Sequence, residues 1–184
     1  MLTVNFDPFP ALETGRLVLR QITDEDIPVL FFLRSHEEVM KYIGRPRPQN
    51  TEELIPFIEK IKTMIASNEG VTWAVSLKDD PKMIGHISFH RIIKEHHRAE
   101  VGYMLHPELN RKGIMDEALK AVLHYGFHTM RLHSVEANVH PENIASRKLL
   151  EKNGFVCEAH FKEDFYWDGQ FLDTVIYSLL TPVK

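Results

Sequence analysis

Alternating and helix-period apolar positions divide the chain into a short series of elements. Leu17, Leu19 and Gln21 alternate with Val18 and Arg20, the two-residue period of a strand, and Thr23-Asp-Glu-Asp26 follows as a helix start with acids in its first turn. Gly44-Arg-Pro-Arg-Pro-Gln49 breaks the chain into a loop, after which Thr51 is placed to cap a helix to about Ser67, with Leu54, Phe57, Ile58, Ile61 and Ile65 near one face. Segments 71–77, 83–93 and 98–106 predict three antiparallel strands in series, the first two joined by an Asp79-Asp-Pro81 turn. A helix over 113–130 carries Ile114, Ala118, Ala121, Val122 and Tyr125 on one stripe, and 134–139 supplies another strand. A short helix runs from an Asn143 N-cap to a stop at Gly154, and 155–165 pairs with 170–180 as a hairpin across Trp167-Asp-Gly169. This order predicts a mixed α/β (α+β) fold around one mostly antiparallel sheet of about seven strands, rather than a doubly wound sheet.

Composition narrows the class. At 184 residues and 43% hydrophobic content the chain can bury one sizeable core, so a single domain over 1–184 is expected. No apolar run approaches the roughly 20 residues of a membrane span, and Met1 to Pro10 carries Asp7 and two prolines instead of an export signal, so a soluble, cytoplasmic protein with no membrane partner is expected. The single cysteine, Cys157, fits a reducing compartment; it lies on a predicted strand without a basic neighbour, as a buried inert thiol would. A net charge of −4 argues against a broad nucleic-acid surface. Eleven histidines include His86 and His90 on one strand face and His96-His97 in the adjoining turn, yet zinc-finger spacing and His-Glu-x-x-His are absent, and no metal is expected. Phe31, Phe32, Trp73, Phe127 and Phe165 are expected in the core.

The candidate chemistry sits in Glu100-Val-Gly-Tyr-Met-Leu-His-Pro-Glu-Leu-Asn-Arg-Lys-Gly-Ile-Met-Asp-Glu-Ala-Leu119. Arg111, Lys112 and Gly113 immediately precede a helix whose first N–H groups lack intrahelical partners, so an anion there would meet backbone donors, the positive dipole end and two cations together. That layout suits the pyrophosphate of a nucleotide-bearing ligand; taken alone, the triplet is equally an ordinary solvated turn. Glu100 shares a strand face with Gly102 and Met104, which places its carboxylate either at an exposed strand end, paired with Arg98 or a lysine, or facing a cleft. No P-loop, dinucleotide glycine motif or Gly-x-Ser-x-Gly elbow occurs.

In order and spacing, Glu13-Thr-Gly-Arg-Leu-Val-Leu-Arg20, Ala99-Glu-Val-Gly-Tyr-Met-Leu-His-Pro107, Arg111-Lys-Gly-Ile-Met-Asp-Glu-Ala-Leu119, Asn138-Val-His-Pro-Glu-Asn-Ile-Ala-Ser146, Leu149-Leu-Glu-Lys-Asn-Gly-Phe155 and Tyr177-Ser-Leu-Leu180 span nearly the whole chain. Together they resemble the GNAT superfamily of acyl-CoA-dependent N-acetyltransferases, and within it the ribosomal-protein-alanine acetyltransferase-like (RimJ/RimL-type) branch. The resemblance implies a sheet splayed between its fourth and fifth strands, acetyl-CoA as cosubstrate, and direct acyl transfer to an amine without a covalent enzyme intermediate. It assigns the pyrophosphate to the turn Asn110, Arg111, Lys112, Gly113, Ile114 and Met115, although Asn110 and Met115 depart from the family's glutamine-or-arginine and glycine-or-alanine at those places. It further implies Glu100 as proton acceptor, backbone N–H groups near Met104 or Leu105 for the thioester carbonyl, Asn143 for the pantetheine arm, and Ser146 or water as the acid for the leaving thiolate. The tyrosine many members carry seven residues after that asparagine is Leu150 here. By the same analogy, loop 42–49 and turn 165–169 flank the acceptor cleft, the acceptor is a protein N-terminal amine or a small amine, and a homodimer is compatible. A non-catalytic acyl-CoA-binding sensor is the alternative.

Overall fold

The computed structural model describes residues 1–182. Eight strands form one sheet: β1 (Leu12–Glu13), β2 (Leu17–Gln21), β3 (Val71–Leu77), β4 (Asp80–Ile93), β5 (Arg98–Leu105), β6 (Ser134–Val139), β7 (Val156–Trp167) and β8 (Gln170–Leu180), in the order β1-β2-β3-β4-β5-β6-β8-β7. Every neighbouring pair is antiparallel except β5 with β6. The helices are α1 (Ile27–Ser35), α2 (Glu37–Met40), α3 (Ile55–Ala66), α4 (Ile114–His124) and α5 (Ile144–Lys152). The strand beyond the expected seven is the two-residue β1, too short for any periodicity to announce.

Alternation along the central strands sends their apolar sets into the core. Leu17 and Leu19 on β2, Trp73 and Val75 on β3 and Ile87 and Phe89 on β4 are all fully buried. Trp73 crosses Phe89 edge-on at 6.2 Å and Tyr125 at 5.7 Å, and its indole N–H donates to the Pro10 carbonyl at 2.7 Å. The aromatic cross-packing is thereby anchored by a satisfied polar handle.

Several local expectations differ. Thr51 makes no side-chain cap; Asn50 Oδ1 accepts from the Glu53 N–H at 3.2 Å instead, and α3 starts later, at Ile55, with Pro56 in its first turn. The helix predicted over 113–130 is α for Ile114–His124 and then widens to a π turn over Tyr125–Thr129, where the Gly126 backbone lies against Phe89 and Leu132. Cys157 is exposed, not buried, because β7 is an outer strand whose flanking residues Val156 and Glu158 are exposed with it. Phe165 likewise leaves the core: it is 41% exposed and its ring lies over the Gly44 backbone.

Candidate active site

The sheet opens in its middle. β5 pairs with β4 from Glu100 to Leu105, but with β6 only at Arg98–Ser134, Ala99–Val135 and Glu100–Glu136, after which β6 follows β8 and β5 is left with a free edge. This is the splay expected between the strands at 98–106 and 134–139. The ladder decides which amides face the opening. His106 N–H donates to the Ile84 carbonyl, so residues of its parity, Met104 and Gly102, turn their N–H groups to β4, while Tyr103 and Leu105 turn theirs outward. Of the two candidate donors, Leu105 and not Met104 therefore presents its N–H to the cleft.

Glu100 stands where the two halves part. Its carboxylate accepts from Arg91 Nη1 at 2.8 Å and lies 3.3 Å from His90 Nε2, and its side chain is only 11% exposed. Burial alone would push the carboxyl pKa up; the hydrogen bonds and charges of His90 and Arg91 outweigh it and hold the group at about 2. The pairing partner is Arg91, across the strand, and not Arg98, which pairs with Glu136 at 3.1 Å. Gly102 makes the His90 contact feasible, since a Cβ there would meet His90 Cε1 at 3.0 Å. Ser88, His90 and Glu100 thus gather on one face of the β4–β5 pair, together with His86. His86 is buried, its ring nitrogens have no partner among the described residues, and burial, aided by Arg34 and His90, lowers its pKa to about 4. It is a neutral imidazole near pH 7.

The basic turn folds as the motif requires. Gly113 is the N-cap of α4 at φ +73°, a left-handed conformation that Arg111 also adopts at φ +63°. Asn110, Arg111, Lys112 and Gly113 are exposed, while Ile114 and Met115 have buried side chains and lie in the first turn of α4, whose amides lack intrahelical partners. Two acids in that turn would oppose a diphosphate, yet both are neutralised sideways. Glu117 accepts from Thr14 Oγ1 at 2.5 Å, Arg16 N–H at 2.8 Å and Arg16 Nε at 2.7 Å. Asp116 accepts from Lys152 at 2.8 Å, Asn153 at 2.9 Å and Lys120 at 3.0 Å. Burial works against the charged form of Asp116, but these donors prevail and its pKa falls to about 2. Helix α4 is therefore tied by Glu117 to the β1–β2 side of the sheet and by Asp116 to α5 on the other.

Across the opening, Asn143 caps α5: its Oδ1 accepts from the Ser146 N–H at 3.1 Å, and its Nδ2 donates to no protein group among the described residues. Ser146 Oγ lies 2.7 Å from the phenol oxygen of Tyr103. Sequence reasoning passed over Tyr103 as a strand residue; only the packing of α5 against the free edge of β5 reveals it. Burial pushes the phenol up to about 12, partly offset by Ser146, so it keeps its proton across the working pH range. This contact between hydroxyl groups links β5 to α5 across the opening.

Just past the end of β6, where His140 and Glu142 line it, lies a cavity of about 690 Å³ between loop 41–47 and the β7–β8 turn, lined also by Lys41, Tyr42, Arg45, Arg47, Trp167 and Asp168 among others. An adjoining hollow of about 130 Å³ reaches Asn138 and Val139 on β6 and includes Phe165. Loop 42–49 and turn 165–169 thus share one cavity. Behind it, the Arg34 guanidinium lies 4.3 Å over the Phe57 ring, partly buried and without a carboxylate partner among the described residues; burial and the neighbouring Arg45 both lower its pKa. No group of three or more His, Cys, Asp or Glu side chains placed to hold a metal ion occurs among the described residues. No helix among them is long and apolar enough to cross a membrane.

Comparison with known proteins gives this geometry a family. Residues 16–156 match the acetyltransferase (GNAT) domain. The uncharacterized N-acetyltransferase YoaA of Bacillus subtilis is 37% identical over 174 residues, 95% of this chain and 98% of that protein. The ribosomal protein uS5-alanine N-acetyltransferase of Escherichia coli is 34% identical over 105 residues, 56% of this chain and 54% of that one. Among solved structures, a GNAT-family acetyltransferase from Bacillus anthracis superposes with a TM-score of 0.83 at 30% identity, covering 93% of this chain and 98% of that one.

Proposed function

We propose that this enzyme, which belongs to the GNAT family of acetyltransferases, moves an acetyl group from acetyl-CoA directly to a primary amine, a protein N-terminal amine or a small amine, in the cytoplasm and within a single domain. The observation that carries the reading is the free edge of β5, which leads from Glu100 past the outward N–H groups of Tyr103 and Leu105 to the basic turn before α4. The residues present fit the cosubstrate: exposed Arg111 and Lys112 and the α4 N-terminus suit a pyrophosphate, and the free Asn143 Nδ2 suits an amide carbonyl of the pantetheine arm. Bound acetyl-CoA supplies the activated thioester.

The chain's own groups then divide the work. The Leu105 N–H, aimed into the opening, stabilises negative charge on the carbonyl oxygen as the amine nitrogen bonds to carbon. Glu100, held at about 2 by Arg91 and His90, stays ionised. It is too weak a base to keep a proton taken from an ammonium of pKa near 8 to 10, so it accepts that proton only in passing, through water, and the proton goes on to solvent. As the carbon–sulfur bond breaks, the Ser146 hydroxyl, backed by the Tyr103 phenol 2.7 Å away, delivers a proton to the leaving thiolate. Starting from the ammonium, the nitrogen sheds two protons, one matched by the proton delivered to the thiolate and one released to solvent, so the transfer is balanced.

The test is CoA release from acetyl-CoA across N-terminal peptides, polyamines and aminoglycosides, with acetyl-CoA binding measured by calorimetry in parallel. Turnover on one acceptor class supports the reading, and absence of acetyl-CoA binding overturns it. Tight binding without turnover of any amine would favour the sensor alternative.

A further inference from the structure

The acceptor end of the cleft has a charge pattern that the transfer chemistry does not require. Lys41, Arg45 and Arg47 project from one short loop into the 690 Å³ cavity, and none has a carboxylate within ion-pair distance among the described residues. Lys41 Nζ instead lies 5.1 Å over the Tyr42 ring. Arg34 stands behind Arg45, partly buried against Phe57 and likewise without a counter-ion among the described residues. A guanidinium withdrawn from water beside another cation is costly unless an anion joins it. His86, neutral on the sheet face near Arg34, adds no charge and offers no carboxylate. On the opposite wall Glu142 and Asp168 line the same cavity, so its lining carries three cations against two carboxylates, with Arg34 as a fourth cation behind.

From this arrangement we infer that the acceptor is an amine carrying carboxylate groups a few atoms beyond its nitrogen, which dock on Arg45, Arg47 and Lys41 with Arg34 behind them, while the ammonium end is drawn past the acidic wall toward Glu100. The inference rests on the acetyltransferase reading and names its substrate class. Arginine forks suit carboxylates in bidentate geometry, and a loop with Pro46 between two of them presents the forks with little backbone freedom. A polyamine or aminoglycoside, positive along its whole length, would meet three like charges in the cavity lining and a fourth behind them. Two sources share the favoured chemistry: a polypeptide N-terminus followed by aspartate or glutamate, and a small acidic amino compound.

The experiment compares three N-terminal hexapeptides that differ only in carrying acidic, neutral or basic residues at positions 2 to 4, together with free glutamate and spermidine. CoA release gives kcat/KM, and calorimetry in the presence of CoA gives acceptor affinity independently of turnover. The acidic peptide should exceed the neutral one about tenfold in both readouts, with the advantage shrinking as salt rises from 0.05 to 0.5 M. The double variant R45E/R47E should reverse the order of acidic and basic peptides while acetyl-CoA affinity stays unchanged. Preference for the hexapeptide over glutamate assigns a polypeptide source, and the opposite preference assigns a small one. Equal handling of the three peptides, preference for spermidine or the basic peptide, or indifference of the order to R45E/R47E overturns the inference. A panel that ignores charge while acetyl-CoA still binds and turns over overturns the acceptor class alone; loss of acetyl-CoA binding by the parent protein overturns the enzyme reading beneath it.

Discussion

Replacement of Glu100 by Gln separates the electrostatic from the chemical role of the carboxylate. The Arg91 and His90 contacts hold the group at about 2 instead of the ordinary 4.5, which corresponds to on the order of 3 kcal/mol favouring the charged form. Arg91 is 71% exposed, so water screens its share, and about 1 to 2 kcal/mol of folding stability should survive. Because the folded pKa is depressed, that stability is fully present above about 4.5 and is lost as the pH falls toward 2. A chain of this size shifts its melting temperature by about 2 to 4 °C per kcal/mol. E100Q should therefore melt about 2 to 8 °C below the parent at pH 7, and the gap should close as the pH approaches 2. CoA release should fall about a hundredfold, within the usual range for a lost proton acceptor, with acetyl-CoA affinity retained. Scanning fluorimetry between pH 2.5 and 8, run beside the CoA-release assay, reads both effects. Unchanged turnover removes Glu100 from the mechanism, and a melting gap as wide at pH 2.5 as at pH 7 refutes the electrostatic argument.

Other substitutions probe the remaining parts of the cleft. Gly113→Ala meets only Arg16 Nη2 at 3.5 Å, so its cost is the left-handed backbone, about 1 kcal/mol; calorimetry should show acetyl-CoA binding weakened about fivefold, and unchanged affinity would detach the turn from the ligand. Tyr103→Phe deletes the 2.7 Å contact with Ser146 and should lower kcat about tenfold with the acetyl-CoA KM unchanged. If the pair acts as a unit, Y103F/S146A will be no slower than S146A alone, whereas additive losses in that cycle would separate the two hydroxyl groups. Asp116→Asn weakens the tie between α4 and α5 and should cost about 1 kcal/mol at pH 7 after screening. Since the Asp116 pKa is lowered to about 2, the difference from the parent should fade in melts below pH 3, and a constant difference would argue against the ion-pair account.

The sequence announced what local chemistry fixes. The glycine turn before α4, the Asn143 cap and the strand periods of β2 to β6 are set by backbone preference and alternation, and each is found close to its expected place. The splay was legible only through resemblance, since nothing in segment 134–139 says that β6 leaves β5 after three pairs. What escaped was long-range or marginal. Arg91 reaches Glu100 across a strand register, and Tyr103 reaches Ser146 across 43 positions of chain. β7 has a strand's composition but stands at the outer edge, so burial expected for Cys157 and Phe165 fails there. Thr51 lost its cap to the adjacent Asn50, a one-residue competition between similar side chains.

The interrupted pairing of β5 and β6 also bears on how long the protein lasts. Two strand edges face each other inside the sheet, and unpaired edges are where a foreign strand adds or local opening begins. A cosubstrate lying in that gap binds the folded chain and not the unfolded one, which at a hundredfold excess over its Kd raises stability by about 2.7 kcal/mol. When acetyl-CoA is scarce, the emptied fold is the form open to proteolysis and strand-mediated association, so cellular abundance of the enzyme should follow the supply of the metabolite it consumes.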